Sequence, residues 1–341
     1  MTERVTIAQV AKRAKVSQAT VSRVLNHSDR VDPRMVSRVN KAVEFLGYTP
    51  NRYARALAGA STGTIGLVFF DLLDSLFHNP YWGTALNSLY SEMAGLNLQC
   101  NLIAQSTDIE NSKATPEKSE YIKFLNSRHV DAFIVVGHPT KNQKLAFEQC
   151  KIPTVIWGQP VSSTSKITYI DTDNYAGALR ATQHLISIKR RKIAIITGRF
   201  DTQVREDRLK GYADALIQNG MKRNERLIVE GDFTRESGRV AMKRLLDKNI
   251  EVDAVFASND EMALGAIDIL KQAKIKVPTD IAVIGVDRAT TDTAEHDFLS
   301  TLTVDYKEIS SCIVEAANNL IIGKSVETRM FDSSLQLRGS T

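Results

Sequence analysis

The chain of 341 residues has few cysteines and no long hydrophobic run. Cys100, Cys150 and Cys312 are odd in number and stand far apart, so the sequence predicts neither a disulfide framework nor a zinc site. No apolar stretch approaches the roughly 20 residues of a membrane span, and the N-terminus lacks the apolar core of a signal peptide. A cytoplasmic globular protein is therefore expected.

Signatures of catalysis are missing as well. The six histidines are scattered, and neither H-E-x-x-H nor G-x-S-x-G occurs. Gly323-Lys324-Ser325 resembles the end of a phosphate-binding loop, but the glycine that such a loop requires five residues earlier is Asn318. The stretch GASTGTIG precedes an apolar strand, whereas a dinucleotide-binding loop follows one. We expect no enzymatic activity, no cofactor and no bound metal.

Positive charge is concentrated at the start of the chain. Residues 1–60 carry eleven Lys or Arg and four Asp or Glu, a net charge of +7, whereas the whole chain carries +5. The remaining residues are therefore nearly neutral. A confined basic segment is typical of a part that meets nucleic-acid phosphates.

Two short amphipathic helices are predicted inside that segment. Thr6 precedes Gln9, and Ser17 precedes Thr20, by three residues each, so both hydroxyls are placed to cap a helix start. Starts eleven residues apart require a tight helix-turn-helix. The apolar positions recur at helical spacing and predict one shared buried face, formed by Ile7, Val10, Ala11, Ala14, Val16, Val21, Val24 and Leu25.

The other face of the second helix carries Gln18, Ala19, Ser22 and Arg23. These small hydrogen-bonding groups and one guanidinium suit base edges in a DNA major groove. A third helix is predicted from a cap at Asp32 to Gly47. The pattern alone also fits an ordinary helical hairpin, but the basic charge of the segment favours a DNA-binding helix-turn-helix.

A linker follows the third helix. The stretch TPNRYARALAGASTG ends in small residues and leads into the apolar strand IGLVFF. Asn51 to Ala58 can form a helix, but eight residues are too short to be stably helical alone in water. This helix is expected to need a partner to fold.

The head and the NRYARALAG segment resemble the lactose-repressor (LacI/GalR) family of bacterial transcription regulators, and the match extends to the closing LRGST. The resemblance implies a homodimer that binds a pseudopalindromic operator and has no membrane partner. It also implies a hinge helix that forms on DNA, where Leu57 wedges into the minor groove. The predicted DNA-contacting residues are Thr6, Ser17, Gln18, Ala19, Thr20, Ser22, Arg23, Asn26, Asn51, Arg52, Ala54, Leu57 and Ala58.

From Ile65 onward, strand and helix patterns alternate, which predicts parallel sheets with crossover helices. The predicted strands are IGLVFF, LQCNLIA, DAFIVVG, TVIW, KIAIITG, RLIVEG, DAVFA and DIAVIGVD. The run is long enough for two α/β lobes, divided near Thr164, with a ligand cleft at the carboxyl ends of the strands.

The predicted fold is therefore α/β, with a three-helix helix-turn-helix head and, by resemblance, a periplasmic-binding-protein-like core of two doubly wound lobes. We assign 1–49 to the head, 50–62 to the hinge helix and linker, and 63–341 to the effector-binding and dimerisation core. The N-lobe is placed at about 63–163 and 289–325, and the C-lobe at about 164–288 and 326–341. The resemblance implies a crossing near Asp287 to Asp305 that returns the chain to the first lobe.

Polar and aromatic side chains at strand ends are the effector-site candidates. Each has an ordinary alternative: Asp173 and Asp260 as helix caps, Arg208 as a surface cation and Phe233 as a core residue. Together they suit a neutral polyol, because carboxylates, amides and Arg bind vicinal hydroxyls while an aromatic ring covers an apolar sugar face. The predicted effector residues are Asp71, Tyr81, His138, Asp173, Arg208, Phe233, Asn259 and Asp287.

The family resemblance adds weight at four of these positions. Arg208, in the pattern R-x-x-G-[FYW], Asp287, at the end of VIGVD, and Asp173, in the DN-x-x-G segment, match effector-clasping positions. Phe233 matches an aromatic pocket position. The chain departs from the family pattern at SIKRR, residues 187–191, where most members carry leucine–glycine–histidine. We expect this segment to border the outer edge of the cleft.

The sequence thus predicts a sugar-responsive transcriptional repressor. One alternative keeps the regulator but gives it a purine or another metabolite, acting as corepressor. A free sugar-binding protein of the transport type would explain the lobes, yet it would need a signal peptide and no basic head. A sugar-modifying enzyme would need a catalytic pair that the sequence does not show.

Overall fold

The computed structural model describes residues 5–25, 31–48, 61–69, 79–104, 125–127, 129–137, 141–160, 167–200, 202–288 and 293–341. The chain forms two compact units, residues 1–64 with 128–131, and residues 65–127 with 132–341. None of the described helices is long and apolar enough to cross a membrane.

The first unit contains the three predicted head helices: α1 (Ile7–Ala14), α2 (Gln18–Leu25) and α3 (Pro33–Leu46). The predicted cap at Thr6 is confirmed, and it forms a full capping box, because the Thr6 hydroxyl accepts the Gln9 N–H while the Gln9 side chain accepts the Thr6 N–H. The Ser17 hydroxyl likewise accepts the Thr20 N–H at 3.1 Å. All eight predicted apolar positions of the first two helices belong to one small core with residues of α3.

A carboxylate organises the residues that follow the linker. Asp131 accepts the N–H groups of Thr62 and Gly63 at 2.7 Å each and the hydroxyl of Ser61 at 2.7 Å. The Asp131 N–H in turn donates to the Thr64 carbonyl at 2.8 Å. Charge-assisted hydrogen bonds of this kind are stronger than neutral ones, so the entry into the first strand has a defined geometry.

The first lobe is built on a six-stranded sheet of order β11-β5-β4-β3-β1-β2. Its pairs between β1, β3, β4, β5 and β11 are parallel, with Ile65 opposite Ala132 and Phe69 opposite Val136. The central strands are buried along their whole length, as parallel strands covered on both faces must be. The strands are β1 (Thr64–Phe69), β2 (Gln99–Ala104), β3 (Ala132–Val136), β4 (Thr154–Trp157), β5 (Thr168–Thr172) and β11 (Arg329–Phe331).

The second lobe has a sheet of order β12-β10-β9-β8-β6-β7, in which β12 alone is antiparallel to its neighbour. Its strands are β6 (Ile193–Thr197), β7 (Ile228–Glu230), β8 (Ala254–Ala257), β9 (Ala282–Asp287), β10 (Ser300–Thr303) and β12 (Ser334–Gln336). The core helices are α4 (Pro80–Gly95), α5 (Lys141–Gln149), α6 (Asn174–Ser187), α7 (Gln203–Gln218), α8 (Arg235–Asp247), α9 (Asp260–Gln272), α10 (Ala294–Phe298) and α11 (Tyr306–Ile321).

The chain crosses between the lobes three times, and each crossing lies later than the predicted boundary. Strand β5 belongs to the first sheet, so the division near Thr164 is too early and the crossing follows Thr172. Strand β10 belongs to the second sheet, so the return follows Thr303, which lies inside the predicted interval Asp287 to Asp305 but later than the assigned boundary after residue 288. Helix α11 then packs in the core of the first lobe, strand β11 stays there, and the last crossing lies between Phe331 and Ser334.

The boundary errors have a common cause, because the four strands that the sequence did not reveal all adjoin the crossings. Strands β5 and β10 read TYIDT and STLT, and their polar residues hide the apolar alternation. Strands β11 and β12 have three residues each and lie at sheet edges. Such short segments carry too little periodicity to be recognised.

The segment that departs from the family pattern lies away from the cleft, which corrects its predicted position. Arg190 donates to the carbonyl oxygens of Pro278, Thr279 and Asp280, which precede β9. The Arg191 N–H donates to Asp253, which precedes β8. These are the amino ends of the strands, whereas the cleft lies at their carboxyl ends.

Lys189 occupies a backbone position that favours glycine. Its φ is +71°, and the Arg190 N–H donates to the Leu185 carbonyl across it, as in a Schellman motif that ends a helix. A side chain in this left-handed region costs roughly 1–2 kcal/mol.

Replacing Lys189 with Gly should therefore raise the free energy of unfolding by about 1 kcal/mol, because the strain disappears. Chemical denaturation measures this change. Lys189→Ala is the control, since alanine keeps the Cβ and should leave stability unchanged. Equal stabilisation by Ala and Gly would show that the charge, and not the backbone, is responsible.

Candidate functional site

Six of the eight predicted effector residues line one cavity between the lobes, with a volume of about 320 Å³. The cavity lies where the strands of both sheets end, as expected for an open parallel sheet. Asp71 and His138 lie outside the described residues. Whether the six bind an effector stays a prediction. They are Tyr81, Asp173, Arg208, Phe233, Asn259 and Asp287.

Arg208 is buried at the cavity wall and is not a surface cation. It projects from α7, and its Nε donates to Asn174 Oδ1 at 3.0 Å while its Nη1 donates to the Ser258 carbonyl. These two bonds hold the guanidinium in a fixed orientation. Burial raises the pKa values of Asp171 and Asp287, and the charge of Arg208 opposes both rises, which places all three groups in one electrostatic cluster.

Asp287 ends β9 in an unusual backbone conformation. Its φ is +116°, and the next residue, Arg288, has φ of +46°. Two consecutive non-glycine residues in this region carry strain, which surrounding contacts must hold. Burial raises the pKa of Asp287 to about 7, with Glu261 adding to the rise and Arg208 opposing it.

Asp260 holds the turn after Asp287 in place. Its carboxylate accepts the Arg288 N–H at 2.9 Å and the Thr301 hydroxyl at 2.6 Å. The cap of α9 is instead Asn259, whose Oδ1 accepts the Met262 N–H, so the alternative of Asp260 as a cap is wrong. Burial, and then the nearby Asp287, raise the pKa of Asp260.

Asp173 and Asp171 come from the first crossing. Asp173 caps α6 by accepting the Ala176 N–H at 2.8 Å, and it also lines the cavity, where its contact with an effector stays a prediction. Asp171 was missed because it lies in the unrecognised strand β5. It accepts the N–H groups of Gln159 and Thr172, and burial raises its pKa to about 6.

Aromatic rings face the cavity from both lobes. In the second lobe, the Phe233 ring lies against Gly198, where any Cβ would collide with it, and the Phe233 carbonyl accepts from the Asn259 amide. In the first lobe, Tyr81 and Trp157 line the cavity. Trp157 was not predicted, although it ends the predicted strand TVIW and could therefore have been placed at the cleft.

Arg235, at the start of α8, also lines the cavity and is already paired with carboxylates. Arg235 binds Asp268 through Nε and Nη2 at 2.9 Å and Glu295 at 2.9 Å. Five carboxylates line the cavity, from Asp171, Asp173, Asp232, Glu261 and Asp287, against three arginines, Arg199, Arg208 and Arg235. Among the described residues, the cavity wall thus carries more carboxylates than arginines.

The head provides the second candidate site. Gln18, Ala19 and Arg23 are exposed on α2, and Ser22 is partly exposed beside them. The hydroxyls of Ser17 and Thr20 bind each other at 2.9 Å within the cap, so these two residues have a structural role as well. Asn26, Asn51, Arg52, Ala54, Leu57 and Ala58 lie outside the described residues, where their DNA contacts remain predictions.

Metal ligation has no support in the described ranges, where no group of three or more His, Cys, Asp or Glu side chains is placed to hold an ion. Cys100, Cys150 and Cys312 are free thiols, each partly exposed.

Comparison with known proteins matches both units. Residues 6–51 match the profile described as bacterial regulatory proteins, lacI family, and residues 182–341 match a periplasmic binding protein-like domain. The HTH-type transcriptional regulator CelR of Thermobifida fusca is 36% identical over 295 residues, which cover 86% of this chain and 84% of the relative. The transcriptional repressor PurR of Aliivibrio fischeri (strain ATCC 700601 / ES114) is 33% identical over 336 residues, covering 96% and 95%.

A solved structure described as a transcriptional regulator CelR–cellobiose complex is 32% identical, with a TM-score of 0.75. The alignment covers 99% of this chain and all of that one. The head, the two-lobed core and these relatives agree along almost the whole sequence, and the chain belongs to the lacI family of bacterial regulatory proteins, as a DNA-binding transcriptional regulator with an effector-binding core.

Proposed function

We propose that this protein is a homodimeric repressor of sugar-utilisation genes whose operator binding is controlled by a small, uncharged carbohydrate in the cleft. The observation that carries the proposal is the composition of the cavity wall. Acceptor side chains and one fixed guanidinium from the second lobe face aromatic rings from both lobes. This is the combination that binds hydroxyls at the edges of a sugar ring and covers its apolar face.

An unphosphorylated sugar fits the charges better than a sugar phosphate. Five carboxylates line the cavity against three arginines, of which Arg235 is paired with two carboxylates and Arg208 lies near Asp171 and Asp287. A dianionic phosphate at this wall would meet carboxylates at close range, where a like-charge contact is costly. Cellobiose is the first probe to test, because the CelR structure is a complex with that sugar.

A purine or another metabolite acting as corepressor is the second candidate, and the PurR relative favours it. Aromatic rings stack on a nucleobase as well as on a sugar. A thermal-shift screen of neutral sugars and nucleobases separates the two, since only the true effector class stabilises the folded protein at low concentration.

Dimer formation is supported by apolar side chains exposed on the first lobe. Tyr90 is 61% exposed on α4, Leu96 is 56% exposed just after it, and Leu102 is 50% exposed on the edge strand β2. A second copy covering this surface would remove them from water and close the sheet edge. Sedimentation at micromolar concentration tests the dimer.

Arg23→Ala should weaken operator binding and relax the base preference, because a guanidinium that binds guanine through two hydrogen bonds contributes ~1–3 kcal/mol of discrimination. The operator is first obtained by in vitro selection from random DNA, and affinities for operator and random DNA are then compared. Arg34→Ala, on α3, is the control for lost charge. Equal losses on both DNAs would make Arg23 a phosphate contact.

A further inference from the structure

The two lobes are joined by a hydrogen bond beside the cavity. Tyr306 opens α11, whose apolar residues Ile309 and Ile313 pack in the core of the first lobe. Its hydroxyl donates to the backbone carbonyl of Asp287 at 2.8 Å. Asp287 belongs to β9 of the second lobe, so this bond spans the boundary between two separately built sheets.

Tyr306 is fixed on its own lobe. It is 9% exposed, and its ring lies 5.8 Å from Tyr81 and 6.4 Å from Trp157, measured between centroids. Its carbonyl accepts the Ser88 hydroxyl at 3.0 Å. The tyrosine therefore cannot follow the second lobe freely, because two cavity rings and a neighbouring helix hold it.

The acceptor of this bond is the strained peptide that presents the proposed effector carboxylate. Asp260 holds one side of the turn through the Arg288 N–H. The Arg288 side chain is anchored by the His296 carbonyl at 3.1 Å and by Asp297 at 3.2 Å. These contacts all come from the second lobe, and Tyr306 supplies the contact from the first lobe.

We propose that the Tyr306 hydroxyl is a latch between the lobes, which makes the position of the Asp287 carboxylate depend on how the lobes are oriented. Rotation of one lobe against the other breaks or keeps this bond. An effector that grips the carboxylate then favours one orientation over the other, which is the condition for coupling two sites. The regulatory role rests on the proposed function, whereas the latch itself does not.

Tyr306→Phe removes the hydroxyl and keeps the ring. Tyr212→Phe is the matched control, because the buried Tyr212 hydroxyl also donates to a carbonyl, that of Ile193, at 2.8 Å, but within the second lobe. Spin labels are attached to cysteines introduced as Gln149→Cys in the first lobe and Lys248→Cys in the second, in a background where the three native cysteines are replaced by alanine. Labelled chains are diluted into unlabelled ones. Double electron–electron resonance then reports the distance between lobes without any ligand.

The latch predicts that Tyr306→Phe broadens or shifts this distance distribution, while Tyr212→Phe leaves it as in the wild type. An unchanged distribution in Tyr306→Phe, or equal changes in both variants, overturns the proposal. In a second measurement, cellobiose is added to the operator complex. Tyr306→Phe should reduce the sugar-dependent change in operator affinity by about 3- to 10-fold, as expected for one buried hydrogen bond, with little change in sugar affinity.

The two measurements distinguish a failure of the proposed function from a failure of the latch. If cellobiose leaves operator affinity unchanged in the wild type, the proposed function fails for this sugar, and the lobe distance still decides the latch. If the wild type responds and Tyr306→Phe responds equally, the latch has no regulatory role and the proposed function stands.

Discussion

Asp287→Asn should abolish the effector response and leave operator binding by the effector-free protein intact. The carboxylate lines the cavity and would accept hydrogen bonds from ligand hydroxyls, and a bond to a charged group contributes ~1.5–3 kcal/mol. We therefore expect about a 10- to 150-fold loss of effector affinity. Asparagine is preferred to alanine because it keeps the shape and tolerates the φ of +116°.

Operator affinity is the quantity to measure for Asp287→Asn. An inducible repressor that no longer binds its effector stays on the operator, because the empty protein favours that state. The expected phenotype is permanent repression. Asp280→Asn, at the opposite end of β9, is the control. If Asp287→Asn still released operator at the wild-type sugar concentration, the effector site would lie elsewhere.

The same variant has a predicted pH signature. Burial raises the pKa of Asp287 from 3.8 to about 7, so the folded protein holds this proton more tightly than the unfolded chain does. The stabilisation is complete below pH 3.8 and is lost as pH rises through 7. The full shift would correspond to ~4 kcal/mol, but Asp287 as a residue is only partly buried, so we expect ~1–2 kcal/mol. Between pH 5 and pH 8, the free energy of unfolding measured by chemical denaturation should fall less for Asp287→Asn than for the wild type.

Arg208→Met should damage both the cavity wall and the packing of the second lobe. It removes the guanidinium that donates to both Asn174 and the Ser258 carbonyl, and it leaves that buried carbonyl without this donor. An unpaired buried polar group costs about 1–3 kcal/mol, and the effector loses its charged donor as well. We expect no measurable effector response and a clear loss of thermal stability.

The pH dependence distinguishes this loss from simple unfolding. Arg208 lowers the pKa values of Asp171 and Asp287, so without it both should rise further. The loss of stability with rising pH then extends above pH 7. Arg205→Met, on the same helix with its ion pair to Glu206, is the control. A variant with the wild-type pH profile would show that Arg208 is not coupled to these carboxylates.

The head was readable from the sequence because its signals are local. Capping residues, a proline at the start of α3 and helical spacing of valines each act within one or two turns, and the structure follows them residue by residue. The central strands were readable for a similar reason, since strands buried on both faces are continuous apolar runs.

The boundaries of the lobes and part of the cavity were not readable, because they depend on contacts between distant segments. Strand β11 has three residues that pair with β5 more than 150 positions earlier. Asp171 looks like one of several acids until β5 joins the first sheet and buries it. The strained turn at Asp287 is likewise set by Asp260 and Tyr306, which no local pattern connects to it.

The central claim is that a neutral sugar in the cleft controls operator binding, and fluorescence anisotropy of the selected operator measures it directly. Cellobiose is added to the wild-type complex and to the Asp287→Asn complex, with a nucleobase in parallel. The account predicts that the sugar changes wild-type operator affinity at least tenfold, about 1.4 kcal/mol, and leaves Asp287→Asn unchanged. A response to the nucleobase alone, or an equal sugar response in both proteins, would contradict it.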